Sequence, residues 1–182
     1  STLLIFVGSG LLIWHRANAI RERALKKAVM NQQLAEVKLE ALQSQLNSHF
    51  VFNSLNAIQK FILNHDEIAA SNYMNMFANL IRGFLESSKN KTIVLEKEIE
   101  LLKLYVSLEK LRFGNSLEYI FEVDTNLNLQ TLYPTNIIQP FVENAIIHGI
   151  VLKKSKGLLI IKFYKVLDSI VCEVDDNGVG RA

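Results

Sequence analysis

The sequence predicts a mainly helical chain that becomes α+β after Gly114, and three observations predict it. Residues 17–63 contain neither glycine nor proline, the two residues that interrupt a helix at the greatest cost. Apolar residues then recur at helical intervals as far as Phe113. Beyond Gly114 the period drops to two, with Leu117, Tyr119, Phe121 and Val123 alternating with polar neighbours.

The composition is that of one folded domain or two small ones. Of 182 residues, 49% are hydrophobic and 21% charged, with 8 Gly and 2 Pro, which excludes disordered, collagen-like and low-complexity chains. The single cysteine, Cys172, excludes an internal disulfide framework and a cysteine zinc site, and its apolar surroundings read as core. A net charge of +2 supplies no basic field, so nucleic acid is not an expected partner. The chain opens on Ser1 and stops at Ala182, two residues after a glycine-rich turn, and it reads as a fragment of a longer protein.

Residues 3–14, LLIFVGSGLLIW, are too few to span a bilayer, which takes about 20 residues of helix. The flank is informative. Trp14 stands at the edge, and His15, Arg16, Arg21, Arg23, Lys26 and Lys27 follow with only Glu22 opposing. An aromatic edge before a basic cluster fits the end of a membrane span leaving on the cytoplasmic side. Residues 1–15 are therefore expected to be the end of a truncated transmembrane helix; a soluble apolar helix and a signal sequence are the alternatives. This predicts an inner or plasma membrane location, with residues after about 15 in the cytoplasm.

Residues 16–47 read as a signalling coiled-coil helix. Leu25, Gln32, Leu39 and Leu46 fall on one seam position and Ala28, Ala35 and Leu42 on the other, about three heptads. A single amphipathic helix is the plainer alternative. After His49 the apolar stripe becomes Val51, Leu55, Ile58 and Ile62, while His49, Asn53, Asn56 and Lys60 form a polar stripe opposite. At about 100° per residue the apolar face has rotated by well over 90°, so a kink near Asn47 and Ser48, or a change of packing partner, is expected. His49 should then be exposed.

Asn64, His65 and Asp66 read as a turn, with Asp66 capping the helix that follows. Tyr73, Phe77, Leu80, Ile81 and Phe84 are the expected core stripe of residues 68–87. Helices 51–63 and 68–87 should pair as an antiparallel hairpin, which buries its remaining apolar surface as a homodimeric four-helix bundle. Residues 88–92 read as a loop. Residues 95–113 read as a third helix with Ile99, Leu102, Val106 and Leu111 inward, stopped by Gly114. Then come a strand at 117–123, a helix over 135–148 with Pro134 near its first turn, and strands at 158–166 and 170–175. The helix proper starts at Pro140 or kinks there.

Two polar features interrupt this apolar texture. Glu143, Asn144 and His148 project from an otherwise apolar helix, and oxygen donors of that kind suit Mg²⁺. Asp175-Asp176-Asn177-Gly178-Val179-Gly180 closes a strand with a carboxylate able to accept from a base amino group and glycines that permit close backbone approach. A helix terminus and a β-turn explain each feature equally well when taken alone.

Taken together with His49, four segments carry a resemblance. Gln45-Leu46-Asn47-Ser48-His49-Phe50-Val51-Phe52-Asn53-Ser54-Leu55-Asn56 resembles the phosphoacceptor motif of LytS-like sensor histidine kinases. Leu111-Arg112-Phe113-Gly114 is similar to that family's Arg-Phe motif, Gln139-Pro140-Phe141-Val142-Glu143-Asn144-Ala145-Ile146-Ile147-His148-Gly149 to its N box, and Asp176-Asn177-Gly178-Val179-Gly180 to its first glycine box. The resemblance implies an ATP- and Mg²⁺-dependent kinase in which His49 takes the γ-phosphoryl group and passes it to an aspartate of a response-regulator receiver domain. It implies that Asn144 holds Mg²⁺, that Glu143 and His148 line the phosphate side, that Asp176 receives the adenine amino group, and that Gly178 and Gly180 shape the pocket. It also implies a dimerisation and phosphoacceptor region at 48–113 and, at 114–182, the first part of an α/β-sandwich ATP-binding domain.

Three departures stand out. Ser48 replaces the usual proline before the histidine. Phe50 follows it, so no adjacent acid can orient the ring. The ATP lid and second glycine box would lie beyond Ala182, so the fragment itself is expected to be inactive. A non-catalytic dimerisation module and a nucleotide hydrolase sharing the ATP fold are the competing readings; the second lacks a water-activating carboxylate, since Pro140 stands one turn before Asn144.

Overall fold

The computed structural model describes residues 14–27, 29–31, 33, 48–153 and 155–180. The chain divides into two compact units, Ser1–Ser48 and His49–Ala182. In the first, residues 14–27 and 29–31 are helical, with Trp14, Ile20, Leu25 and Val29 exposed. No helix among the described residues is long and apolar enough to cross a membrane. Residues 1–13 of the expected span at 1–15, the seam positions Ala28, Gln32, Ala35, Leu39, Leu42 and Leu46, and Asn47 of the expected kink at Asn47 and Ser48 lie outside the described residues.

The second unit begins with two antiparallel helices, α1 (Ser48–Leu63) and α2 (Glu67–Ser88). The turn between them follows from local chemistry. His65 takes the left-handed conformation at φ 58°, and the His65 and Asp66 amides donate to Ile62 O and Phe61 O, the paired bonds of a Schellman stop. Asp66 then caps α2 by accepting from the Ala69 amide at 2.9 Å, as expected.

The expected stripe of α2 is all buried, but that of α1 is displaced. Val51 and Ile58 are buried, while Leu55 is half-buried and Ile62 is exposed. Phe50, Ser54 and Ala57 are buried instead. The cause is across the hairpin: Phe50 packs between Phe77 and Tyr105, Phe61 meets Tyr73, and the Tyr73 hydroxyl donates to Ser54 Oγ at 3.4 Å. Phe52, Ile62, Leu63 and Ile68 are left as exposed apolar side chains.

A short strand, β1 (Thr92–Val94), leads into α3 (Leu95–Phe113). The first amides of α3, on Leu95 and Glu96, donate to Thr131 O and Leu129 O, so a later loop satisfies its N-terminus. Helix α3 buries Ile99, Leu102 and Val106 as expected, and also Leu95, Leu101, Tyr105 and Leu108, because it packs on α2 and on the strands that follow. Leu111 is exposed, contrary to expectation, because it falls in the last turn, where α3 outruns that cover. Gly114 ends the helix at φ 57°, a left-handed conformation that favours glycine.

Strand β2 (Leu117–Val123) pairs parallel with β4 (Gly157–Val166), which pairs antiparallel with β5 (Ser169–Asp176). Strand β3 (Leu132–Pro134) pairs with β1, antiparallel and apart from this sheet. The two three-residue strands were not expected. Pro134 closes β3 rather than opening a helix, and the helix expected over 135–148 begins only at Gln139. The reason is steric: Pro140 suits the first turn of a helix and cannot sit inside one. This helix, α4 (Gln139–Asn144), continues as a wider π turn, Ala145–Ile150, past the expected end at His148. Helix α4 and its π turn lie on the apolar face of the sheet, with Val142, Ile146 and Ile150 against the level of Leu159, Ile161 and Phe163. All of the second unit thus forms mainly α followed by α+β structure.

Candidate functional site

Helix α4 with its π turn contributes to the walls of two cavities. The first, about 700 Å³, lies between α4 and β5 and is lined by Asn144, His148, Gly149, Asp176 and Gly180, with Ile137, Ile138, Ala145 and Val174 as apolar wall. Asp176 reaches it because β5 alternates: Asp176, Val174 and Cys172 pair with Leu159, Ile161 and Phe163 on the inner face.

The Asp176 carboxylate is held by its own turn, its Oδ1 accepting from the Gly178 amide at 2.8 Å. Val179 N donates to Gly149 O at 3.1 Å, which locks the glycine turn against the end of α4. A methyl group at Gly149 would collide with Asp176 Oδ1, and one at Gly178 would collide with the Gly149 backbone. Glycine is needed at both places for this approach. Cys172 also lines the cavity, and burial pushes its thiol up to about 12.

The second cavity, about 570 Å³, is lined by His49, Asn53, Asn56 and Lys60 of α1, Arg112 and Phe113 at the end of α3, and Ile147, Val151 and Leu152 at the end of α4. His49 is exposed, as expected, and the polar stripe of α1 faces this space. Asn53 Nδ2 is 3.2 Å from both ring nitrogens of His49, and it can donate to whichever one carries no proton.

A buried charge cluster stands behind this cavity. Glu109 is 0% exposed, and Arg112 Nη2 approaches its Oε2 to 2.6 Å without hydrogen-bond geometry; neither oxygen of Glu109 has a hydrogen-bond partner. Burial is the main cause that pushes the Glu109 carboxyl up to about 7, with Arg112 opposing and Glu143 adding to the rise. The Arg112 guanidinium stacks 4.1 Å from the centre of the Phe113 ring, and its Nη1 is buried with no hydrogen-bond partner. Glu143 is raised by burial, while the charges of His49, His148 and Arg112 pull it down.

The expected site residues therefore divide. Asn144, His148, Asp176 and Gly180 converge on the first cavity, and Gly178 packs behind it. Glu143 is not among that cavity's lining residues; its carboxyl is in electrostatic contact with His49 and Arg112. Among the described residues, no group of three His, Cys, Asp or Glu is gathered to hold a metal. Asn144 offers this cavity one side-chain amide oxygen, a hard donor of the type Mg²⁺ takes when waters and other oxygens fill the rest of its shell. The first cavity combines apolar walls with one carboxylate at its end.

Glu109 and Glu98 were missed. Glu98 is 3% exposed and accepts from the Asn136 amide at 3.1 Å, clamping the turn that launches α4. The available signal was periodicity: Glu98 and Glu109 sit among Ile99, Leu102, Tyr105 and Leu108 on the buried sides of α3.

Residues 37–117 match the family model described as histidine kinase. The chain is 35% identical over 165 residues to the sensor histidine kinase YpdA of Escherichia coli, covering 91% of this chain and 27% of that protein. It is 33% identical over 147 residues to the sensor protein LytS of Staphylococcus saprophyticus, covering 81% and 24%, and 31% identical over 173 residues to LytS of Oceanobacillus iheyensis, covering 95% and 28%. The chain thus spans about a quarter of the length of these relatives.

Proposed function

We propose that the chain belongs to the LytS-like sensor histidine kinases, and that its parent protein phosphorylates His49 from ATP and relays the phosphoryl group to a response-regulator aspartate. One observation carries the reading: α4 contributes Asn144 and its π turn His148 to one cavity, and the same π turn contributes Ile147 to the other, where His49 stands. Nucleotide and acceptor would be served by the two faces of one short helix.

Each residue then has a role. Asp176 accepts a hydrogen bond from the base, and Ile137, Ile138 and Val174 enclose the ring. Asn144 holds Mg²⁺, and His148 stands on the phosphate side with Gly178 and Gly180 shaping the wall. When bound, ATP supplies the phosphoryl group and Mg²⁺ neutralises charge on its oxygens. His49 attacks the γ-phosphorus through a ring nitrogen, the bond to the bridging oxygen breaks, ADP leaves with the electron pair, and the ring proton passes to Glu143. Phosphoryl transfer asks for positioning and charge stabilisation above all. With Phe50 after His49, Glu143 replaces a neighbouring acid.

The exposed Phe52, Ile62, Leu63 and Ile68 support a homodimer that completes a four-helix bundle. Membrane attachment through the segment before residue 15, with the rest cytoplasmic, belongs to the same proposal. The test is labelling of the full-length parent with ATP carrying a radioactive γ-phosphate. Label is expected in wild type and in His65→Gln and lost in His49→Gln; label persisting in His49→Gln rejects the assignment.

A further inference from the structure

We propose that the cavity beside His49 is a binding site for the phosphoryl group once it is on that histidine, with Arg112 as its cation and Asn53 as its amide donor. The proposal rests on His49 as the acceptor. Two independent observations carry it.

The first is the composition of the cavity. Spacings of four, three and four residues along α1 put His49, Asn53, Asn56 and Lys60 on one face, and Arg112 closes that face from α3. Among the described residues, those lining the cavity include two cations and two carboxamides and no acid. A tetrahedral dianion attached to the ring would meet donors from both elements.

The second observation is the state of Arg112. Its guanidinium is fixed by the Phe113 ring and by the approach of Nη2 to Glu109, yet Nη1 is buried without an acceptor. A buried unpaired donor is costly and demands an explanation. A phosphoryl group on His49 supplies the missing acceptor, and a guanidinium suits phosphate geometry better than an ammonium. The carboxylates that face the guanidinium are Glu109 and Glu143, and Glu143, whose charge also couples to His49, opposes the dianion that the cations favour. Glu109, held near pH 7 in its titration, can take a proton when the guanidinium charge is drawn toward the dianion.

Phosphoramidate tests this without the nucleotide site. It transfers its phosphoryl group to imidazole: the bond from histidine nitrogen to phosphorus forms, the reagent's nitrogen–phosphorus bond breaks, and ammonia leaves with the ring proton. His65, exposed in the α1–α2 turn, serves as internal reference. The 182-residue chain, which has four histidines, is treated with phosphoramidate, and the ³¹P resonances of His49 and His65, identified by their loss in His49→Gln and His65→Gln, are titrated with pH. The His49 phosphoryl group is expected to titrate about one unit below that on His65, since nearby cations favour the dianion. Arg112→Gln should abolish most of that gap and Arg112→Lys less of it.

Coincident titration in wild type, an unchanged gap in both Arg112→Gln and Arg112→Lys, or failure of phosphoramidate to modify His49 while modifying His65 overturns the proposal. Inorganic phosphate added to the unmodified chain is the second arm. A shift of the Arg112 Nε–H resonance at micromolar phosphate would assign the cavity to free anions and overturn it as well. The labelling result with ATP stands apart: label on another histidine removes the kinase assignment of His49, whereas the ³¹P gap reports the cavity alone.

Discussion

Replacing Glu109 by glutamine decides whether its ion pair with Arg112 stabilises the fold at neutral pH. The 2.6 Å approach invites the view that it does, since breaking a buried pair costs about 3–5 kcal/mol. The environment argues otherwise. Both carboxylate oxygens lack hydrogen bonds, burial is the largest influence on the group, and its titration is raised from 4.5 to about 7. A carboxyl raised in the folded state contributes stability that is fully present below its unfolded value and is lost as pH rises through its folded value. A shift of that size is worth about 3 kcal/mol at 1.36 kcal/mol per unit.

Between pH 5 and 8 the wild-type chain should therefore lose roughly 2–3 kcal/mol from this group, and Glu109→Gln should not. The two should be about equally stable at pH 5, where Glu109 is mostly protonated, and the variant should be more stable at pH 8. At about 2–4 °C per kcal/mol, the melting temperatures should separate by roughly 4–12 °C at pH 8. Urea denaturation and thermal melts of both proteins across this range measure it. Parallel pH profiles, or a variant less stable at pH 8 by several kcal/mol, would refute the reasoning and make the pair a net stabilising contact.

Further outcomes follow from the first cavity. In the parent protein, Asp176→Asn removes a charged acceptor worth roughly 1.5–3 kcal/mol, so calorimetry should show ATP affinity falling about 10- to 150-fold with weaker preference over GTP; full affinity would move the base elsewhere. Asn144→Asp should slow phosphorylation more than it weakens binding, because it adds negative charge beside the phosphates; a normal rate would remove the metal assignment. Gly178→Ala drives a methyl into the Gly149 backbone, which has no flexible end to yield, so a loss of about 1–3 kcal/mol is expected in melts of the chain. Cys172, its thiol raised to about 12, should react with iodoacetamide at pH 8 at least about tenfold more slowly when folded than in urea.

Where an element was well read from the sequence, local chemistry decided it. Asp66 capping and the stop at Gly114 depend on neighbours within a few residues, and the strand at Leu117–Val123 announces itself by its own alternation even though its partner is β4. The reading failed where a distant partner decided. Of the two readings of α4, a helix from Thr135 and a helix proper starting at Pro140, the second holds, and Pro134, which imitates a helix start, is instead paired into β3 by β1, some forty residues upstream. The buried face of α1 was turned because Ser54, polar in isolation, is covered by Tyr73 from the opposite helix. Exposure of His49 was legible from the polar stripe alone.

The site divides in the same way. The sequence by itself determined the four motifs, the identities of the chemical groups and the order of the elements, because these follow from residue type and spacing. Only the tertiary structure decided that Asn144 and Asp176 share a cavity, that Glu143 couples to His49 and Arg112, and that Glu109 is buried beside a guanidinium with an unpaired nitrogen. The physical reason is that desolvation and Coulomb interaction depend on what surrounds a group in space, and the surroundings of these groups come from helices and strands far apart in the chain.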